Sequence, residues 1–461
     1  MINLSNATSR LTVDSVPHLA LLHAGRDFWV EAERTRSGRD LVAAVTQAEL
    51  QCRAAGVQPG AIVVVPVDDG FSALAWLFGA AATGAVVAPL RNERLREINP
   101  WQEFVAIDWQ VTAGGLVRTG QGTFSAGAAG LLKQLRGRGH PGLILATGGT
   151  TGAPKLVLHD LATLLEQIPV RSGRPWRTLP LMSLDHIGGL DMAWRALASG
   201  QTLVAPPAVI TPGAVAAVIA RHRVEVLPAT ASFLNLLLLS ESAGGHDLAS
   251  LRIVPYGAEP MPAGLLARLR ARLPGVEFIQ KFGTSETGAL PVKGGGTGLV
   301  LPAPGQEFAH RIMDGELWIR SPARALGYLS GQPGGFEPAG WFRTGDLAEE
   351  LPDGSLRILG RCSDVINVGG EKVLPAVVEG LLLAHPLVAD CRVFAQANAV
   401  LGQVVGADVV WRGPETDAVQ VKRLLHAFAA SSPKCHLPAV VRLVKSVDTT
   451  WNLKKIRPLN T

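Results

Sequence analysis

The residues best suited to chemistry in this 461-residue chain begin at Thr147. The stretch "TGGTTGAPK", residues 147–155, sets three glycines and three threonines ahead of a Pro-Lys pair. Glycines let backbone N–H groups approach an anion closely, threonine hydroxyls add donors, and Lys155 supplies a point charge for a phosphate. The P-loop order G-x-x-x-x-G-K-[ST] is absent, because Pro154 precedes Lys155 and Leu156 follows it; G-x-G-x-x-G is absent too. Alone, the stretch reads either as a phosphate cradle or as a surface turn. Further polar motifs follow in "LPLMSLDHIGGL" (179–190), "LRIVPYGAEPMP" (251–262), "FGTSETG" (282–288), "WFRTGDL" (341–347), "LGRCSDVINVGGEKVLPAVVE" (359–379) and "TWNLKKIRPL" (450–459).

Such residues need a scaffold, and the pattern around them describes one. Short apolar runs at 61–67, 84–90, 143–146, 203–206, 224–228 and 252–256 alternate with helical patterns such as 212–222 and 261–273. Strands alternating with helices predict βαβ units and parallel or mixed sheets, an α/β architecture. The uncharged stretch 71–90 has the length of a bilayer span, yet it is rich in Ala and Gly and ends in "AVVAP". It reads as a buried helix leading into a buried strand, not as a membrane span. From about 296 the texture changes to short strands and Asp-Gly turns, with "LPDGSLRILG" as a hairpin, which predicts a small β-barrel-like part over 296–360. Mixed strand and helix then return, so a large core over 1–360 is expected, followed by a small mobile α+β domain over 361–461 joined by a short hinge.

Composition bounds the function classes. Hydrophobic residues make up 47% and charged residues 18%, and the net charge is +5. No block of Lys and Arg with interleaved aromatics occurs, which argues against nucleic acid as a partner. Cys52, Cys362, Cys391 and Cys435 show no C-x-x-C spacing, which argues against a zinc site or a disulfide framework. The first residues, "MINLSNATSRLTVDS", lack a basic segment followed by an apolar one, so a cytoplasmic location is expected.

The motifs quoted above, in this order, resemble those of the adenylate-forming superfamily: acyl- and aryl-CoA synthetases, nonribosomal adenylation domains and luciferases. That family's loop reads T-S-G-T-T-G-x-P-K, matched here by Thr147, Gly148, Gly149, Thr150, Thr151, Gly152, Ala153, Pro154 and Lys155, with Gly148 in the serine position. The resemblance covers about 143–457. It implies ATP-dependent activation of a carboxylic acid as acyl-AMP with release of pyrophosphate. Transfer to a thiol follows, either CoA or the phosphopantetheine arm of a separate acyl carrier protein.

The resemblance also implies roles. Residues 147–152 and Lys155 would bind the β- and γ-phosphates. Gly257, Ala258 and Glu259 would wrap the adenine, with Phe282, Gly283, Ser285 and Ile358 beside it, and Gly257 and Gly283 would also border the acid. His186 would stand at the acid pocket. Ile187 follows it where amino-acid-activating members commonly have Asp, which argues against an α-amino acid substrate. Thr284 would donate to the carboxylate or the α-phosphate. Glu286, with Thr151, would hold Mg²⁺, which favours few carboxylates and several phosphate oxygens. Asp346 would accept from both ribose hydroxyls, with Arg361 nearby. Lys454, three residues before Arg457, would be the catalytic lysine, with Lys455 the alternative. Ser363 would be the hinge, and Gly369 and Gly370 would line the thiol tunnel. Rival readings are adenylation of an unusual oxyanion and a degenerate binding or scaffold protein. Whether the chain is a monomer or a homodimer stays open.

Overall fold

The computed structural model describes residues 10–22, 25–97, 101–121, 123–147, 155–171, 173–290, 292, 299, 301, 308–330, 334–449 and 455–456. The largest unit is a seven-stranded sheet in the order Gly327–Tyr328, Lys155–Asp160, Gly142–Thr147, Val86–Leu90, Ile62–Pro66, Ile107–Thr112, Gly115–Gln121. Its four central strands, Gly142–Thr147 to Ile107–Thr112 in that order, run parallel, and the strands at both edges are antiparallel. The strands Ile62–Pro66, Val86–Leu90 and Gly142–Thr147 are apolar at nearly every position because both of their faces are covered. One face packs against the helix Gly70–Ala81, the other against Ala128, Leu132 and Leu135 of the helix Ala126–Arg138. The stretch 71–90 is accordingly a buried helix and then the buried strand Val86–Leu90. Among the described residues no helix is long and apolar enough to cross a membrane.

A second sheet joins Arg34–Ser37, Asp27–Glu31, Thr202–Val204 and Arg177–Thr178. Single bridges through Val226 carry it on to the parallel pair Ile253–Tyr256 and Glu277–Gln280. The apolar run 224–228 is therefore not a strand of its own. Pro228 interrupts it, since proline has no N–H to offer a ladder, and pairing resumes at Ala229 with Tyr256. Helices at Pro212–His222 and Ala263–Arg272 match the patterns at 212–222 and 261–273.

The described part of 296–360 holds a four-stranded antiparallel sheet in the order Ala309–Met313, Glu316–Arg320, Trp341–Glu350, Leu356–Arg361. Beyond it lies a separate core. The strands Val388–Asn398 and Gly402–Trp411, with the helices Pro375–Leu383 and Ala418–Phe428, bury Val393, Ala407, Val421 and Leu425. This α+β unit meets the larger one where Asn235 Nδ2 donates to the Ala389 carbonyl at 3.2 Å.

Candidate active site

Thr147 ends a central strand and Lys155 opens the next, opposite each other in register, and the Thr147 hydroxyl donates to the Lys155 carbonyl at 3.4 Å. The Gly/Thr loop is thus slung from the carboxyl end of a parallel strand, where open α/β sheets bind ligands. Gly148, Gly149, Thr150, Thr151 and Gly152 lie outside the described residues, as does Lys454.

The loop 283–288 lies against the strand that Lys155 opens, where His159 meets the Ser285 carbonyl. Thr284 pairs with Gly288 across a tight antiparallel turn. The Thr284 hydroxyl accepts from the N–H groups of Glu286 and Thr287, at 3.2 and 3.1 Å. A Cβ at Gly283 would lie 2.6 Å from the Gly288 carbonyl oxygen, so the turn closes only with glycine there. Gly257 is excluded from bearing a side chain in the same way, 2.7 Å from the Lys281 carbonyl. Ala258 follows with φ +69°, a left-handed backbone that costs an alanine energy and persists only where the surroundings demand it. The Glu259 carboxylate is turned to the start of the helix Ala231–Leu239, where it accepts from the Ser232 hydroxyl at 2.8 Å and from the Ser232 N–H.

Glu286 is bound by a residue the sequence reading did not single out. Tyr328 Oη donates to Glu286 Oε1 at 2.7 Å, and Lys155 Nζ stands 5.5 Å from the centroid of the same ring. Burial and the Glu286 charge both push the Tyr328 phenol above its ordinary range, with Arg361 acting weakly against them. Arg361 in turn pairs with Asp346, Nε to Oδ1 at 3.2 Å, and donates to the Thr344 carbonyl at 2.6 Å. These two residues face each other across neighbouring strands. Lys155, Tyr328 and Glu286 thus form one connected group, joined to Thr284 through the Glu286 N–H, while Arg361 pairs with Asp346 on the neighbouring strands. Phe282 and Ile358 pack on one apolar cluster with Leu290, Leu317 and Ile319, which would provide an apolar wall beside it.

His159 was also missed. It is fully buried on the strand Lys155–Asp160, and its Nε2 donates to the Ser285 carbonyl at 2.5 Å. Burial pushes its pKa down to about 4. The ring is therefore neutral near pH 7 and acts as a fixed donor under the 283–288 loop. No local signal marks either residue, since the contacts of His159 and Tyr328 span 126 and 42 positions.

His186 sits at the N-cap position of the helix Ile187–Ser199, without a capping bond from its side chain. Asp185 beside it is buried and paired with Arg94 at 3.5 Å, a partner 91 residues away. Gly369 and Gly370 form the exposed turn between the strands Ile366–Val368 and Glu371–Val373, with φ +58° and +97°. Ser363 lies in a single exposed turn directly after Arg361, its hydroxyl donating to Asp364 Oδ1 at 3.0 Å. These three residues are not part of the connected group.

Lys455 has a different environment. It is almost fully enclosed, 2.8 Å from Asp390 Oδ1, and donates to the Cys391 carbonyl at 2.5 Å. Burial alone would lower its pKa, but Glu379, Cys391 and Asp390 outweigh that and hold it above the usual lysine range.

Among the described residues no cluster of three His, Cys, Asp or Glu could hold a metal. A lone carboxylate such as Glu286 suits Mg²⁺ carried largely by phosphate oxygens, and not an all-protein cage.

Fold and motifs together define an adenylate-forming enzyme architecture, an α/β core with a small α+β unit behind it. Residues 133–329 match the family described as AMP-binding enzyme, and the chain belongs to the adenylate-forming superfamily. It is 30% identical over 302 residues to 4-coumarate–CoA ligase-like 3 of Oryza sativa subsp. japonica, covering 58% of this chain and 51% of that protein. It is 30% identical over 332 residues to pyochelin synthase PchD of Pseudomonas aeruginosa, covering 66% and 60%. The matched region thus spans half to three-fifths of these relatives' length. In fold it is similar to the anthranilate CoA ligase AuaEII solved with anthranoyl-AMP, with TM-score 0.77, 18% identity, and 98% and 96% of the two chains covered. The amide bond synthetase McbA from Marinactinospora thermotolerans follows at TM-score 0.72, 22% identity, and 96% and 98%.

Proposed function

We propose that this chain activates a carboxylic acid with ATP and transfers the acyl group to a thiol, with CoA as the acceptor. In the first step a carboxylate oxygen attacks the α-phosphorus, the bond to the β-bridging oxygen breaks, and pyrophosphate leaves. In the second step a thiolate attacks the acyl carbonyl and AMP leaves. The observation that carries this reading is the group Lys155–Tyr328–Glu286, which starts on the strand following the Gly/Thr loop, together with the Arg361–Asp346 ion pair.

Two anions must meet, so fixed cations and donors carry the work. Lys155 would neutralise the outgoing phosphates. Asp346, oriented by Arg361, would accept from the ribose hydroxyls, and Phe282 would stack on the adenine. Gly257 and Gly283 let their segments pack against the Lys281 and Gly288 carbonyls, next to where base and acid would lie. Thr284 would present its hydroxyl to the carboxylate or the α-phosphate. Mg²⁺ on Glu286 and Thr151 would supply charge neutralisation to the phosphates. Lys455 is committed to Asp390, which supports its neighbour Lys454 as the lysine that bridges carboxylate and α-phosphate. His186 would border the acid, and the pairing of Asp185 with Arg94 leaves no net charge there to demand an α-amine. Ser363 would be the hinge about which the domain after Arg361 turns, bringing Gly369 and Gly370 to the thiol. The acids in the relatives' names, 4-coumarate and anthranilate, are aromatic, and an aromatic acid is the substrate class we favour.

Acid-dependent exchange of labelled pyrophosphate into ATP, run over a panel of aromatic and medium-length acids, tests the first step. No exchange with any acid would favour a degenerate binding protein. AMP release on adding CoA, set against a phosphopantetheinylated carrier protein, separates the two acceptors.

A further inference from the structure

We infer that Tyr328 is a positioning residue which fixes the Glu286 carboxylate and the Lys155 ammonium through opposite parts of one side chain. The inference rests on the reading of Glu286 as the magnesium carboxylate and goes beyond it. It starts from strand periodicity. Side chains alternate along a strand, so Lys155, Val157 and His159 share one face of the strand Lys155–Asp160. Tyr328 pairs with Val157 across the sheet edge, so it stands on that same face between Lys155 and His159.

Two polar residues of this face, His159 and Tyr328, act on the 283–288 region, and Lys155 rests on the Tyr328 ring. His159 holds the Ser285 carbonyl from below. Tyr328 Oη donates to Glu286 Oε1 at 2.7 Å, and the main chain of its own segment adds the Ala325 N–H to the Glu286 carbonyl at 2.7 Å. The phenol bond occupies one direction on Oε1, whereas a carboxylate offers about four lone-pair sites over two oxygens. A glutamate free to rotate would lose side-chain entropy on binding a cation. Here the hydroxyl removes that freedom beforehand and leaves acceptor capacity for a metal bond.

The ring performs the second task. Its face attracts the Lys155 ammonium at 5.5 Å, within the range of a cation–π contact. The ring is itself held edge-on by Phe336 at 5.1 Å, and Phe336 lies 5.0 Å from Phe342, on the strand that also carries Asp346. One packed aromatic stack therefore ties the phosphate-side cation, the metal carboxylate and the ribose strand into a common frame.

The test uses the full chain with Mn²⁺ as a paramagnetic probe, titrated in the presence of a non-hydrolysable ATP analogue. Tyr328→Phe keeps the ring contacts and removes only the hydroxyl. Its Mn²⁺ midpoint is expected to rise about tenfold, the lower end of the range for losing a partner of a metal ligand. The analogue's affinity without metal and the thermal midpoint should stay at the wild-type values. Tyr328→Leu removes the ring too and is expected to weaken the analogue in the absence of metal, through Lys155. A Tyr328→Phe midpoint at or below the wild-type value, while Glu286→Gln raises it, would overturn the inference and leave the metal assignment standing. If Glu286→Gln also leaves the midpoint unchanged, Glu286 is not the metal's ligand and both readings fall together.

Discussion

His159 offers a prediction whose size follows directly from the structure. The ring is fully buried and donates to the Ser285 carbonyl, and burial lowers its pKa from 6.5 to about 4. Once the chain unfolds the ring titrates normally, so the unfolded state takes up a proton below pH 6.5 that the folded state refuses. Stability from this group is thus complete above pH 6.5 and is lost as pH falls from 6.5 towards 4. The loss amounts to about 2 kcal/mol at pH 5 and about 3 kcal/mol once both forms are protonated. Glutamine at 159 can still donate an amide N–H to Ser285 but does not titrate in this range. Urea unfolding followed by tryptophan fluorescence, with Trp101 and Trp194 buried in the large core, would compare wild type and His159→Gln at pH 7.5 and pH 5. The stability advantage of the wild type should shrink by about 2 kcal/mol between them. An advantage that stays constant across this range would refute the reasoning, because a histidine protonated in the folded state, or one already exposed, gives no such difference.

The two adjacent lysines should separate cleanly. Lys455→Ala leaves Asp390 and Glu379 buried without their cation and should cost about 3–5 kcal/mol, read as a lower unfolding midpoint of the C-terminal unit. Lys454→Ala should instead abolish pyrophosphate exchange at an unchanged midpoint; undiminished exchange would exclude Lys454 as the catalytic lysine. Gly257→Ala places a methyl against the Lys281 carbonyl and should lower ATP affinity by calorimetry, by at least tenfold for a cost of about 1.4 kcal/mol. Asp346→Asn removes the charge that Arg361 faces and should raise the KM for ATP more than it lowers kcat.

Much of the scaffold was legible in the chain. Val86–Leu90 and Gly142–Thr147 are continuous apolar runs because a parallel strand is covered on both faces, and that burial leaves its mark at every position. The hairpin at 351–360 was legible because Asp353 and Gly354 set the turn locally. The reading failed where a segment's state depends on a remote partner. The run 224–228 looks like a strand, yet Val226 makes only single bridges to Thr178 and Ile253, and pairing resumes only at Ala229 after Pro228.

The site divides the same way. The sequence by itself determined the order and residue types of the Gly/Thr loop, the Thr284–Glu286 turn and the Gly345–Asp346 pair, because each is a compact local motif. Only the tertiary structure decided which side chains orient them. His159 reaches Ser285, Tyr328 reaches Glu286, and Arg94 reaches Asp185 across 126, 42 and 91 residues. It also decided what Lys455 does, since the carboxylates around that ammonium come from a helix and a strand distant in the chain. Hydrogen bonds and ion pairs act over a few ångströms of space, whatever the separation along the chain. A motif can therefore announce its chemistry, while the groups that hold it in place are found only after folding.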